Sequence, residues 1–153
     1  MDFFENFQIV IQLFLSVLLG GWIGLEREYK RKEAGLRTYS LVCLGSCILT
    51  VISFQLFNRF SGQNGVSFDP SRIIQAIAVG IGFIGAGVIF KHSSFGPLGL
   101  TTAAGLWVTA AVGISIGAEM YFLAFCSTCL AVLILAGLRI IKGKVIDNNK
   151  AEE

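Results

Sequence analysis

Five long apolar stretches constrain this chain more than any motif in it: approximately Phe7–Leu25, Thr38–Phe57, Ile73–Phe90, Leu100–Gly117 and Met120–Ile141. Each is close to the ~20 residues that a helix needs to cross a ~30 Å hydrocarbon layer. Inside lipid every backbone amide must be paired within its own segment, so each stretch is expected to be a helix. A soluble bundle would carry polar faces on its helices, and these segments carry almost no charge on any face. Composition points the same way: 54% of the 153 residues are hydrophobic and only 14% are charged. That is too little charge to cover a surface in water. The expected fold class is an all-α integral membrane protein, a bundle of about five transmembrane helices.

The placement of charge gives an orientation. Arg27, Lys30, Arg31, Lys32 and Arg37 crowd the first connection, Lys91 lies in the third, and Arg139, Lys142, Lys144 and Lys150 follow the last stretch. The second connection has only Arg59 and Arg72 at its edges, and the fourth has neither Lys nor Arg. Because Lys and Arg concentrate on the cytoplasmic side, the N-terminus is expected outside and the C-terminus inside. No basic segment with a small-residue cleavage site opens the chain, so the first helix is expected to remain. Residues 1–142 read as one transmembrane domain and 143–153 as a short polar cytoplasmic tail that frays. A formal charge of +2 gives no reason to expect nucleic acid as a partner. Lipid is the expected surrounding.

The connections carry local signals. Ser61-Gly62-Gln63-Asn64-Gly65 is turn chemistry. Asp69 followed by Pro70 is an N-cap with proline in the first helical turn, which starts the third helix. Thr101 or Thr102 could cap the fourth helix. Glu119 is placed at the start of the fifth, where a negative charge suits the helix dipole.

The segment "GIGFIGAG", Gly80 to Gly87, begins with the dinucleotide-binding pattern G-x-G-x-x-G. That site needs a strand before the glycines and an acidic residue ~20 positions after them. Here the glycines lie inside an apolar run, and no acid follows until Glu119. No cofactor is expected. On a helix, Gly80 and Gly87 fall on one side and Gly82 and Gly85 on the other. Two small faces imply two close neighbours, so the third helix is expected at the centre, and leucine at Gly82 or Gly85 is expected to disrupt assembly. Two further rows recur every four residues: Gln8, Gln12, Ser16, Gly20 and Gly24 in the first helix, and Thr101, Gly105, Thr109, Gly113 and Gly117 in the fourth. Such rows let membrane helices approach closely.

Few residues suggest chemistry. Glu26 ends the first stretch near a negative helix end, where it needs a compensating charge. Two readings stand: Arg27, Arg37, Thr38, Thr101 and Thr102 gather around it as an inner-face polar cluster, or Glu26 and its basic neighbours sit in the headgroup layer. An ionisable residue at membrane depth is a functional candidate by default. Cys43 with Cys47 and Cys126 with Cys129 could place four thiols together, but within apolar helices cysteine usually behaves as a small hydrophobe. His92 is the single histidine and lies in a polar loop, which leaves no His-based metal cage and no nucleophile–base pair. No enzyme activity is expected, and any metal ligand set stays open.

Four ordered motifs, "GGWIGLERE", "AGLRTYSLVCLGS", "GIGFIGAGVIFK" and "GLTTAAGLWVTAAVGISIGAEMY", resemble the MgtC/SapB family of bacterial inner-membrane proteins. The resemblance covers roughly Gly20 to Tyr121, the membrane domain, without the soluble C-terminal domain that some members add. It implies a multi-pass protein of the inner membrane, linked to adaptation to low magnesium and, in pathogens, to survival inside host cells. It aligns the family's acidic residue of G-L-[DE]-R with Glu26, and the A-G-L-R-T motif with Arg37 and Thr38. Other members carry Asn at Thr101. Two functions follow as expectations. One is a small regulator bound to another inner-membrane complex. The other is an oligomeric transporter or channel for magnesium or another cation, with Gln8, Gln12, Ser16 and Glu26 as oxygen ligands.

Overall fold

The computed structural model describes the backbone of residues 3–61, 69–90 and 99–150, and side chains over 4–61, 69–90 and 99–137. Its elements are five helices in chain order: α1 (Phe3–Tyr29), α2 (Leu36–Phe60), α3 (Ser71–Phe90), α4 (Leu100–Gly117) and α5 (Tyr121–Lys150). The first four are long and apolar enough to cross a membrane, and the apolar part of α5, Tyr121–Gly137, is slightly shorter. The chain is therefore an all-α, multi-pass membrane protein. The turn predicted at Ser61–Gly65 lies largely outside the described residues, and Lys91 and His92 wholly so.

The helices overrun the apolar stretches because polar residues continue them into the interface. At ~1.5 Å per residue, the 27 residues of α1 span ~40 Å, about 10 Å more than a ~30 Å hydrocarbon layer. Backbone of α5 likewise stays helical through residues 143–150, where the sequence suggests a fraying tail.

Two helix ends escape a sequence reading because each uses a charged residue where glycine is usual. Arg31 adopts φ 51° after α1, and Lys32 N–H donates to the Arg27 carbonyl at 3.0 Å. Glu119 adopts φ 64° after α4, and Met120 N–H donates to the Ser115 carbonyl at 2.8 Å. Both are left-handed caps of the Schellman type. Glu119 therefore closes α4 rather than starting α5. Neither Thr101 nor Thr102 caps α4; Gly99 precedes it at φ 95° with no side-chain bond. Asp69 does take the capping position, accepting from Ser71 N–H at 2.9 Å.

The packing centres on α4, which touches all four other helices, whereas α3 touches only α2 and α4. This corrects the expected central position of α3. Its packed stripe is Ile77, Ile81 and Gly85, which meets Ala110 and Ala103 on α4. Gly80, Gly82 and Gly87 have nothing within 4 Å of where a Cβ would stand, and Phe83 is 84% exposed beside them. Small residues mark where a helix can approach; within one chain, only one side of α3 receives a neighbour.

The small-residue rows of α1 and α4 both pack against α2, and the two helices also touch each other. A Cβ on Gly20 would stand 2.5 Å from that of Cys43, and one on Gly24 would stand 2.8 Å from that of Tyr39. On the α4 side, a Cβ on Gly113 would collide with the Cys43 carbonyl, and one on Gly117 would lie 2.8 Å from the Cys47 carbonyl. Thr109 is fully buried in the same row and donates to the Gly105 carbonyl at 2.8 Å, while Thr101 at its start is exposed. Close approach of this kind replaces the hydrophobic effect, which does not drive association between helices in lipid.

Leucine at Gly113 is expected to destabilise the bundle by about 3 kcal/mol, at the upper end of overpacking costs, whereas leucine at Gly82 changes stability by less than about 0.5 kcal/mol. Unfolding of both variants in mild detergent checks this. The Ser71 hydroxyl and backbone N–H hold the Asp69 carboxyl below its usual range. A depressed folded-state pKa stabilises above the ordinary carboxyl value, ~3.9, and that contribution disappears as pH falls through the depressed one. Hydrogen exchange at the first turn of α3 should therefore lose protection at strongly acid pH, and Asp69→Ala should lose it at neutral pH.

Candidate functional site

Polar side chains gather where α1 ends and α2 and α4 begin. The helix register brings them together. Glu26 and Arg27 occupy the last turn of α1, Tyr39 the first turns of α2, and Thr102 the first turn of α4. The Gly24 and Gly105 contacts hold these three helix ends in place, since both glycines abut Tyr39.

Arg27 is the centre of the cluster and is only 3% exposed. Its Nη2 donates to Thr102 Oγ1 at 3.0 Å, and the Thr102 hydroxyl donates to Glu33 Oε2 at 2.7 Å. Tyr39 is fully buried, and its hydroxyl donates to the Thr102 backbone carbonyl at 3.2 Å. Thr102 thus receives both the guanidinium and the phenol while passing its own proton toward a carboxylate. Three chain segments are tied at one residue.

Glu26 lies beside this chain. Its Oε2 is 3.7 Å from Arg27 Nη1 and its Oε1 is 2.8 Å from Lys30 Nζ. Both carboxylate oxygens are buried, yet neither accepts an aligned hydrogen bond; Lys30 stands at ion-pair distance but off the bonding direction. Arg27 Nε is likewise buried without an acceptor. Buried charges with such unused bonding capacity are costly, because Coulomb attraction alone seldom repays desolvation. Charge is nonetheless balanced locally, with Glu26 and Glu33 against Arg27 and Lys30.

Glu28 serves the neighbouring helix end. Its Oε2 accepts from Leu36 N–H at 2.8 Å, supplying the cap that Gly35 cannot. A carboxylate there also complements the positive end of α2, worth roughly 0.3–1 kcal/mol. A Cβ at Gly35 would meet the Glu28 carboxylate, so a side chain there would push Glu28 off its capping position.

Of the residues the sequence singles out, the structure joins Glu26, Arg27 and Thr102. Arg37 does not join them: its side chain is exposed and makes no hydrogen bond or ion pair with the described residues. Thr38 is half-buried without a side-chain hydrogen bond, and Thr101 points away from the cluster, exposed. A helix turns ~100° per residue, so Arg37 and Thr101 face away when their neighbours face in. Glu33, Tyr39 and Glu28 are the members a sequence reading misses. The legible signal for Tyr39 was its polar tip within an apolar segment, since a buried tyrosine hydroxyl finds a partner.

No three His, Cys, Asp or Glu side chains cluster as a metal site among the described residues. The four thiols are free, and they do not converge, because Cys43 and Cys47 are on α2, Cys126 and Cys129 are on α5, and those helices do not touch. What the cluster can do is fasten helix ends and offer a carboxylate with unfilled acceptor positions to a cation or an N–H donor.

The model of the MgtC family matches residues 13–144. The chain is 37% identical over 142 residues to YhiD of Escherichia coli K12, a protein provisionally labelled a magnesium transporter, covering 93% of this chain and 66% of that one. It is 41% identical over 119 residues to SapB of Bacillus subtilis, covering 78% and 51%. It is 43% identical over 124 residues to MgtC of Brucella abortus, covering 81% and 48%. The chain thus spans between about half and two thirds of the length of these relatives. No solved structure matches it.

Replacing Arg27 with Met should cost about 3 kcal/mol, because Glu26 is left buried beside one remaining cation. Thr102→Val should cost roughly 1–3 kcal/mol, since it strands the guanidinium. In a double-mutant cycle read by unfolding in detergent, the two should couple by at least ~0.5 kcal/mol.

Proposed function

The chain belongs to the MgtC family, and on that premise we propose that it is a small membrane regulator which acts by contact with another inner-membrane protein. One observation carries this reading: the interface of α1, α2 and α4 is shut at backbone distance. Gly20 and Gly24 of α1 and Gly113 and Gly117 of α4 press directly on α2. Such a seam offers a dehydrated ion no continuous set of oxygens, which a hard divalent cation requires.

In this reading the Arg27 end faces the cytoplasm, as the excess of Lys and Arg around it supports. Lys30 and the adjoining basic loop form the surface a partner meets, with the Glu26 carboxylate buried directly beneath Lys30. The physiological setting is adaptation to low magnesium and, in a pathogen, intracellular survival. The protein has no catalytic role. Transport of magnesium or another cation is the second reading, favoured by the label of the E. coli relative and by the unfilled oxygens of Glu26.

Two measurements separate the readings. Protein in liposomes should take up no magnesium above empty vesicles, and protein purified in mild detergent from magnesium-starved cells should bring a membrane partner with it, several-fold less with Glu26→Gln. Uptake that scales with protein, together with a solitary protein at every magnesium level, would establish transport instead. In growth at low magnesium, Glu26→Gln should impair and the exposed Arg37→Gln should not, at equal expression.

A further inference from the structure

Glu26 is neutralised by a cation that reaches it without bonding it. Lys30 follows the last residue of α1; its N–H still donates to the Glu26 carbonyl at 3.2 Å, and Arg31 then turns left-handed at φ 51°. From that fixed point the Lys30 ammonium comes within 2.8 Å of Glu26 Oε1. Yet neither Oε1 nor Oε2 accepts a hydrogen bond from any described residue, although both are buried. We propose that Glu26 receives an arginine guanidinium of the partner protein, which enters as the Lys30 side chain swings out. The inference rests on the regulatory reading for the source of that arginine, and it names the chemistry the partner presents.

The residues already present cannot fill the carboxylate. Arg27 Nη1 stands 3.7 Å from Oε2, beyond hydrogen-bond reach, while Nη2 is committed to Thr102 and the side chain is locked in place. Lys30 has the distance but not the direction, because its tether starts one turn away on the same helix. Lys30 can also leave. Same-helix Glu–Lys pairs four apart are weak, and its side chain is 23% exposed against 11% for the Glu26 it covers. Exchanging one cation for another keeps Glu26 compensated throughout, so no unpaired charge is left buried.

A guanidinium fits the vacated position better than another ammonium or a metal. Its planar fork sets two parallel N–H donors on the two oxygens of one carboxylate, and both oxygens here are unfilled. It is also more weakly hydrated than an ammonium, so it loses less on entering a buried site. A divalent ion needs six or more oxygens, and no three His, Cys, Asp or Glu side chains cluster among the described residues. Exposed Glu28 and Glu33 alternate with Arg31 and Lys32 in this stretch, so the approach is not barred to a cation.

The test is titration calorimetry of the full chain in phosphatidylcholine nanodiscs, with N-propylguanidinium as the probe. Binding should be saturable and about fivefold tighter than that of n-butylammonium, because the fork fills two oxygens and the ammonium one. Lys30→Ala removes the competing cation and should tighten guanidinium binding about tenfold; Lys30→Gln replaces it if the alanine variant aggregates. Glu26→Gln should abolish binding, and Glu5→Gln, in the first turn of α1, should leave it unchanged. In magnesium-starved cells Lys30→Ala should raise partner recovery several-fold, whereas a partner drawn by basic charge alone would be recovered less. No saturable guanidinium binding to Lys30→Ala, equal binding to folded Glu26→Gln, or reduced partner recovery with Lys30→Ala would overturn the proposal. Guanidinium binding by a protein that never brings a partner would uphold the site and remove the regulatory reading. Partner recovery without guanidinium binding would remove the site alone.

Discussion

The backbone of α2 is packed against two rows of small residues, and the rest of the structure depends on that clasp. Around Cys43, α1 approaches through Gly20 and α4 through Gly113, with no side chain between the glycines and α2. Lipid gives helices no hydrophobic reason to associate, so contact area at short range has to supply the attraction. The flanking helices need less of it. α3 rests on α4 through a narrow apolar stripe, and α5 on α1 and α4, with Trp22 and Phe125 rings 6.3 Å apart.

The polar end inherits its geometry from the clasp. Tyr39 is one turn from Cys43 and lies between Gly24 and Gly105, so its hydroxyl is delivered to the Thr102 carbonyl. Arg27 then finds Thr102 within reach, and Glu33 closes the chain from the connecting loop. A site assembled this way has rigid walls, yet Glu26 keeps both oxygens without an aligned donor. A charge-balanced carboxylate with spare acceptor positions in a well-fixed surrounding is the feature a rearranging partner can exploit, and it makes this end the focus of the functional proposal.

Membrane character and helix number were legible because lipid demands long apolar helices and nothing else. The rows in α1 and α4 were legible because spacing four repeats along one helical face. The same logic misplaced α3: glycines on two sides of a helix permit two neighbours without supplying the second. Charged residues in left-handed caps, Arg31 and Glu119, hid two helix ends, since sequence rules look for glycine there. Glu26, Arg27 and Thr102 could be named from charge at membrane depth and from helix starts. Arg37 and Thr101 could not be separated from them without the helical phase, which shifts by ~100° for each residue of boundary error. Glu33 carried no local signal, because its role arises from a contact 69 positions away in the chain.

The central claim is that the α1–α2–α4 seam is closed to water, and Cys43 reports on it directly. In cells carrying Cys43 as the sole cysteine, the others replaced by Ala, labelling is measured with a charged, membrane-impermeant thiosulfonate and, after solubilisation in denaturant, with a neutral maleimide. The account predicts no modification by the charged reagent, from intact cells or inverted vesicles, and full modification once unfolded. Modification of Cys43 by the charged reagent in the folded protein would show an aqueous path through the seam and contradict the account.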